Sequence, residues 1–379
     1  MSRGRKLAVA GLLVVLVLTV FFMSHYVQLS LVEHVSLKTF IVRMVVASQD
    51  LNASSPMYGS FLNSSWFTVY AVDVLNVLGG LGMIDSDALL HFITGPDQAG
   101  PVDWPMQDLA RYNVRPAFVV SHVASVIGGL GELPSALVDK IHETIIAHQN
   151  SSSKEDEYWP YDRTFLFETA RLMNETRYVN STFQKQQILD DIVDEIGGEN
   201  FELFNLLHPL KALQELHQIE TGYPYIRYEI PDSTRSMVEF YILSVWDGSR
   251  YGFYDSLSRS SLKYYEGSLA ATYFAVRSYI ELVGDWDYIL SHEKSVLLDK
   301  IGAQFENVLT FLSKCQNRYG IFFDTASEVD NKVNSLQIWP TLNAVMLLNY
   351  IDHMDFLNQT VRWPPNPTLI ESLGDGLSN

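Results

Sequence analysis

The chain alternates long apolar stripes with short polar, Gly-rich breaks. Trp66 to Leu78 carries apolar residues at helical spacing and stops at LGGLG. This predicts an amphipathic helix with a glycine C-cap. Residues 75–82, LNVLGGLG, align with residues 124–131, ASVIGGLG, at an offset of 49. After each match a capping residue starts a second stripe, SDALLHFI in one case and PSALVDKIHETIIAHQ in the other. The scheme continues through Thr164–Met173, Phe183–Ile196 and ELFNLLHPLKALQELHQIE, where Pro209 is expected near a new helix start. Ser30–Ala47 reads as a helix, and Ser236–Val245 as a short helix or a strand-like run. Further helices are expected from about Lys263 to Val283, Lys294 to Cys315, and Asn334 or Ser335 to Tyr350. Two aromatic turns punctuate the second half, WDGSRYGFYD and NRYGIFFD, and their aspartates, Asp255 and Asp324, stand 69 residues apart. Helix pairs recurring at about 50 residues predict stacked hairpins. The expected fold is all-α: an α/α toroid, a helical-hairpin barrel with its aromatic turns gathered at one rim.

The N-terminal stripe differs. Leu7–Met23 holds no charge and follows Arg3, Arg5 and Lys6. Its length nearly spans a hydrocarbon layer, and the basic flank predicts a cytoplasmic N-terminus. The expected organisation is a cytoplasmic tail over 1–6 and a transmembrane signal anchor over 7–26. A stalk or first helix with linker covers 27–59, a toroid ectodomain 60–352, and a C-terminal tail 353–379. A cleaved signal peptide is the alternative, although no small-x-small site follows the apolar run. This predicts a single-pass membrane protein whose partner is the bilayer through Leu7–Met23 and whose main domain is extracellular or lumenal.

Composition sharpens the picture. The chain has 26 basic against 44 acidic residues, a formal −18. That surface repels nucleic-acid backbones, so no nucleic-acid partner is expected. A single cysteine, Cys315, removes any disulfide framework. Asn52, Asn63, Asn150, Asn174, Asn180 and Asn358 each begin an Asn-x-Ser/Thr triplet and are candidate glycosylation sites in an exported domain.

Candidate chemistry concentrates in the turns. Asp255 and Asp324 follow equivalent Gly-aromatic turns, and Glu266 is expected in the first turn of a helix, on the same face as Tyr273. The three acids are the catalytic candidates, with helix capping or turn closure as the plain alternative. Trp104, Trp159, Trp246, Tyr264 and Tyr265 are the ligand-contact candidates, since loop aromatics either touch ligand or pin the loop. His142 begins HETII, which lacks the second histidine of a helical zinc site. No metal and no cofactor is implied.

The stretch GFYDSLSRSSLKYYEGSLAATYFAVRSYIELVGD resembles the repeats of the α/α-toroid superfamily of prenyltransferase β subunits and terpene cyclases. Tyr273, Ala275, Ile280 and Gly284 carry the likeness, with Tyr70, Leu75 and Gly79, and Phe118, Val123 and Gly128, in the first two units. The likeness spreads over roughly residues 60–350 and implies a ring of inner and outer helices. Catalytic motifs do not carry over: Cys315 stands without a zinc set, and IDSD at 84–87 looks like a helix cap. Two functions are expected on this basis. One is a membrane-anchored extracytoplasmic toroid binding a lipid, glycan or protein partner. The other is a glycan- or isoprenoid-processing enzyme using carboxylates and aromatics in the barrel mouth.

Overall fold

Backbone amides at helix ends need partners, and the way this chain supplies them sets its architecture. The computed structural model describes residues 34–95, 114–148, 159–179, 181–196, 202–223, 230–256, 266–283, 300–302, 305–329, 335–362 and 368–370. Among them are twelve α-helices. They are α1 (Leu37–Ala47), α2 (Ser65–Leu78), α3 (Ser86–Thr94), α4 (Val114–Val126), α5 (Ser135–His148) and α6 (Trp159–Leu172). Then come α7 (Ser181–Ile196), α8 (Leu203–Thr221), α9 (Asp232–Ser244), α10 (Leu269–Val283), α11 (Glu306–Lys314) and α12 (Ile338–Tyr350).

The even-numbered helices pack on one another in cyclic order: α2 on α4, α4 on α6, α6 on α8, α8 on α10, α10 on α12, and α12 back on α2. Odd-numbered helices lie against this circuit, as α3 and α5 do on α4, and α7 on α8. Both kinds of face are therefore covered, and most of α2, α10 and α12 is buried.

One device ends four helices of the circuit. After α2, Gly80 N–H donates to Leu75 C=O (2.7 Å) and Gly79 N–H to Asn76 C=O (3.1 Å). The same pair of bonds follows α4 at Gly128 and Gly129, α6 at Asn174 and Glu175, and α12 at Asp352 and His353. Each motif turns through a left-handed residue, with φ of 70° at Gly79, 76° at Gly128, 58° at Asn174 and 55° at Asp352. These are Schellman caps, which satisfy the last carbonyls and reverse the chain. The 49-residue offset seen in the sequence is the offset between the first two.

Helix starts are held from outside. Leu203 N–H donates to Asp255 C=O (2.8 Å), and Leu269 N–H to Asp324 C=O (2.6 Å). Each aromatic turn thus caps the circuit helix of the unit before it.

The structure corrects the expected fold class. The described residues are mostly helical but not all-α, because extended segments beside the turns pair their free backbone groups. β1 (His34–Ser36) pairs antiparallel with β5 (Thr360–Arg362). β2 (Trp246–Asp247) forms a hairpin with β3 (Gly252–Phe253), and β4 (Ser335–Gln337) runs parallel to β6 (Thr368–Ile370). Among the described residues the three sheets are two-stranded, and none closes into a barrel. No helix of the described residues is long and apolar enough to cross a membrane, and Leu7–Met23 lies outside them. Among the described residues there is no membrane-crossing helix and no sheet closed into a barrel, and the expectation of an anchored toroid is corrected on that ground. The membrane partnership, the extracellular or lumenal placement and the barrel-mouth enzyme rested on that expectation, and nothing among the described residues supports them. Smaller differences concern boundaries: α10 begins at Leu269, and Pro209 sits inside α8 rather than at a start.

Candidate functional site

Each circuit helix presents one line of residues to the centre. In α2 the half-buried positions are Trp66, Tyr70, Asp73 and Val77. Spacings of four, three and four place them on one helix face. In α12 the half-buried positions are Trp339, Met346 and Tyr350, again on one face, and in α10 they are Ala270 and Arg277. Tyr70 and Trp339 meet at 5.1 Å, so the α2 and α12 faces look into the same space. These residues are less buried than most of their helices.

Aromatic rings link all six helices around that centre. Trp66 lies 6.2 Å from Phe118 and 5.4 Å from Phe165. Phe165 approaches His208, Phe204 approaches Phe274, and Tyr273 approaches Tyr350. Along the helices from this layer runs a charged one. His122 bridges two carboxylates, with Nε2 2.7 Å from Asp73 Oδ1 and Nδ1 2.8 Å from Glu168 Oε1. Lys211 Nζ donates to the other Glu168 oxygen at 3.0 Å. Four consecutive circuit helices are cross-braced by this chain. Residue numbers rise together from one layer to the next on α2, α4 and α6, so these helices run in the same direction.

The electrostatics favour the ionised forms. Burial opposes charge on His122, but the Asp73 carboxylate and the hydrogen bonds to Asp73 and Glu168 outweigh it and push the pKa up to about 10. The cation then donates through both ring nitrogens. Glu168 is likewise buried, yet Lys211 and His122 hold its carboxyl well below the usual range. A second pair lies beside the first: Arg171 Nε donates to Glu215 Oε2 at 2.6 Å and Nη2 to Oε1 at 3.3 Å. A proton-transfer catalyst needs a pKa near working pH, and these groups are driven away from it. They act as fixed braces.

The far side of the centre is less saturated. Arg277 donates through Nη1 to Tyr273 OH (2.6 Å) and lies 4.9 Å from the Tyr350 ring centroid. Its Nε forms an ion pair with Glu281 Oε1 at 3.6 Å, one turn further along α10. Burial pushes Glu281 up to about 7 against the pull of Arg277 and Lys211. Asn343 is 0% exposed, and neither its amide nitrogen nor its amide oxygen has a partner. Its place between Trp339 and Met346 puts it on the inward line of α12.

The turn acids have other work. Glu266 precedes α10 rather than opening it, so the expected shared face with Tyr273 does not arise. Its Oε1 accepts from Ser327 N–H (2.9 Å), and its Oε2 pairs with Arg250 (2.9 Å). Asp324 Oδ1 accepts from Ala270 N–H at 3.0 Å, which is the capping alternative. Asp255 caps α8 through its carbonyl. Trp246 packs edge-on against Phe253 at 4.9 Å. The structure gathers Glu266 and Asp324 around the start of α10, about 18 Å along that helix from Glu281. Trp104, Tyr264 and Tyr265 lie outside the described residues, as does the side chain of Trp159, which opens α6. Asn52, Asn63, Asn174 and Asn358 are exposed, while Asn150 and Asn180 lie outside the described residues.

Sequence reasoning missed the charged layer, although a signal existed. Asp73, His122 and Glu168 each stand six residues before a left-handed cap, Gly79, Gly128 and Asn174. One polar residue recurring at that register inside apolar helices marks a shared inward face. Among the described residues no group of three His, Cys, Asp or Glu side chains could hold a metal ion. No protein-family model matches the chain, and no curated protein matches it.

Proposed function

We propose that this chain binds a small organic molecule at the centre of its six-helix circuit. The observation that carries this reading is the convergence of half-buried aromatic rings from α2 and α12, with Trp66 6.5 Å from Tyr70 and Tyr70 5.1 Å from Trp339. The surroundings fit the usual make-up of a ligand site, a mainly aromatic lining with a few convergent polar groups. A purely structural core is the second reading, favoured by the full pairing of His122 and Glu168.

Titration of tryptophan fluorescence separates the two. Suitable probes are 3-phenylpropionate, 3-phenylpropionamide and 2-phenylethylammonium, which share a body and differ in head group. At least one is expected to change the emission saturably, with the Trp66→Phe and Trp339→Phe variants losing the response. Asn343→Leu removes a buried, unpartnered amide and is expected to raise stability without abolishing the response. If none of the three binds, the structural reading stands instead.

A further inference from the structure

We infer that α1 is the second helix of the hairpin that α12 begins, and that the joint between them, β1 with β5, is a clasp at which the helix circuit opens before it unfolds.

The spacing after the helix caps leads there. Seven residues after the left-handed residues Gly79, Gly128 and Asn174 come Ser86, Ser135 and Ser181, which open α3, α5 and α7. A short 3₁₀ turn lies between in each case, at Leu81–Met83, Leu130–Glu132 and Thr176–Tyr178. α12 ends in the same way. Its left-handed residue is Asp352, a 3₁₀ segment follows at Met354–Asn358, and the seventh residue is Gln359. Gln359 opens no helix. Its carbonyl instead accepts from Leu37 N–H at 3.0 Å, and Leu37 is the first residue of α1. The second helix is thus supplied by the other end of the described chain.

Packing agrees. α3 lies on α4, α5 on α6, α7 on α8 and α9 on α10, each on the circuit helix that follows its own hairpin. α1 lies on α2 and on the Met354–Asn358 segment, the place of a second helix between α12 and α2. It buries Leu37, Phe40, Ile41 and Val45 at helical spacing, as one covered face requires.

The joint repeats the outside capping of α8 and α10. Glu202 bridges Ser256 beside the Leu203–Asp255 bond, and Ser268 bridges Thr325 beside the Leu269–Asp324 bond. Ser36 likewise pairs with Thr360 beside the Leu37–Gln359 bond. The difference is covalent support. A short turn ties α3, α5 and α7 to the circuit helix before them, whereas α1 meets α12 only through space. β1 and β5 share three residue pairs, and an isolated two-stranded ribbon is marginal in water. Val361 is the buried anchor, packed against Gly320 beside Leu37. Farther on, β6 lies beside α1 and pairs with β4, the strand that leads into α12, so one segment grips both helices of the split hairpin. Elements held by so few buried contacts open ahead of the core.

The test is hydrogen exchange of the full chain under native conditions, read by mass spectrometry on peptides. Residues 34–41 are expected to exchange at least tenfold faster than the starts of α8 and α10, whose first amides make the equivalent bonds at Leu203 and Leu269. Joining the strands by Val35→Cys with Val361→Cys, a directly opposed pair, should slow residues 34–41 at least tenfold relative to the reduced form. α3, α5 and α7 should not change. Gly320→Ala should act in the opposite sense, because a Cβ there meets Val361 Cγ1 at 2.8 Å on a backbone with φ of 84°. Exchange over residues 34–41 and 359–362 should then rise together. Equal exchange at the three helix starts in the wild type overturns the inference. So does a disulfide that fails to form or leaves residues 34–41 unchanged, or a Gly320→Ala effect confined to its own turn.

Discussion

Replacing Glu168 with leucine is expected to lower folding stability by about 3–5 kcal/mol, the cost of breaking a buried ion pair from one side. The side chain is 7% exposed, and each carboxylate oxygen serves a different cation, His122 on α4 and Lys211 on α8. Removing it leaves two buried positive charges facing each other across α6. Glu168→Gln retains hydrogen-bonding atoms but not charge, so it should fall between wild type and leucine. Urea unfolding monitored by circular dichroism provides the comparison. A loss under about 1 kcal/mol for Glu168→Leu, the range of an exposed pair, would mean that the network contributes little to holding the helices together.

His122→Leu is expected to cost a similar amount at pH 6, about 3–5 kcal/mol, and to remove a pH dependence. The folded-state pKa lies near 10, against about 6.5 for an unperturbed histidine. The folded state therefore keeps a proton that the unfolded state releases. The stabilisation is complete below about pH 6.5 and is lost as pH rises toward 10. Glu168 works in the opposite direction. Its carboxyl is held low, so its stabilisation is present above the usual carboxylate range and is lost in acid. Wild-type protein should thus be most stable in mildly acidic solution and lose stability steadily between pH 6.5 and 10. His122→Leu should start lower and change little over that interval. A wild-type profile that is level from pH 6.5 to 10 would show that His122 is not held as a cation.

Much of the local structure was legible in the sequence. LNVLGGLG and ASVIGGLG announced two helix ends, and both are Schellman caps at Gly79 and Gly128. Asn174 and Asp352 do the same work without glycine, so the repeat was harder to follow past its second unit. The role of the turn acids was half visible. Asp324 caps by side chain, as turn chemistry suggests, whereas Asp255 caps through its carbonyl, which residue type does not reveal.

The candidate site was not legible for a physical reason. In helices buried on most sides, such as α2 and α12, nearly every position is apolar, so periodicity cannot tell the centre-facing side from the outer one. Asp73, His122 and Asn343 are single polar residues within such runs. Their meaning comes from partners 49 and 46 residues apart for Asp73–His122 and His122–Glu168, and for Asn343 from the lack of one. Conspicuous acids and aromatics in the turns drew attention instead, because turns are where exposed chemistry is usually found. The all-α expectation overlooked strands of two or three residues, which are too short to show an alternating pattern.

Photolabelling with 3-(4-benzoylphenyl)propionate, followed by peptide mapping, tests the central site most directly. Benzophenone inserts into neighbouring C–H bonds, so the adducts report where the carboxylate probe sits. Adducts should fall within α2 and α12, around Trp66, Tyr70, Trp339 and Met346, and should disappear when excess 3-phenylpropionate is present. Adducts confined to the odd-numbered outer helices, or labelling no greater than that of the urea-unfolded chain, would contradict a ligand site at the centre of the circuit.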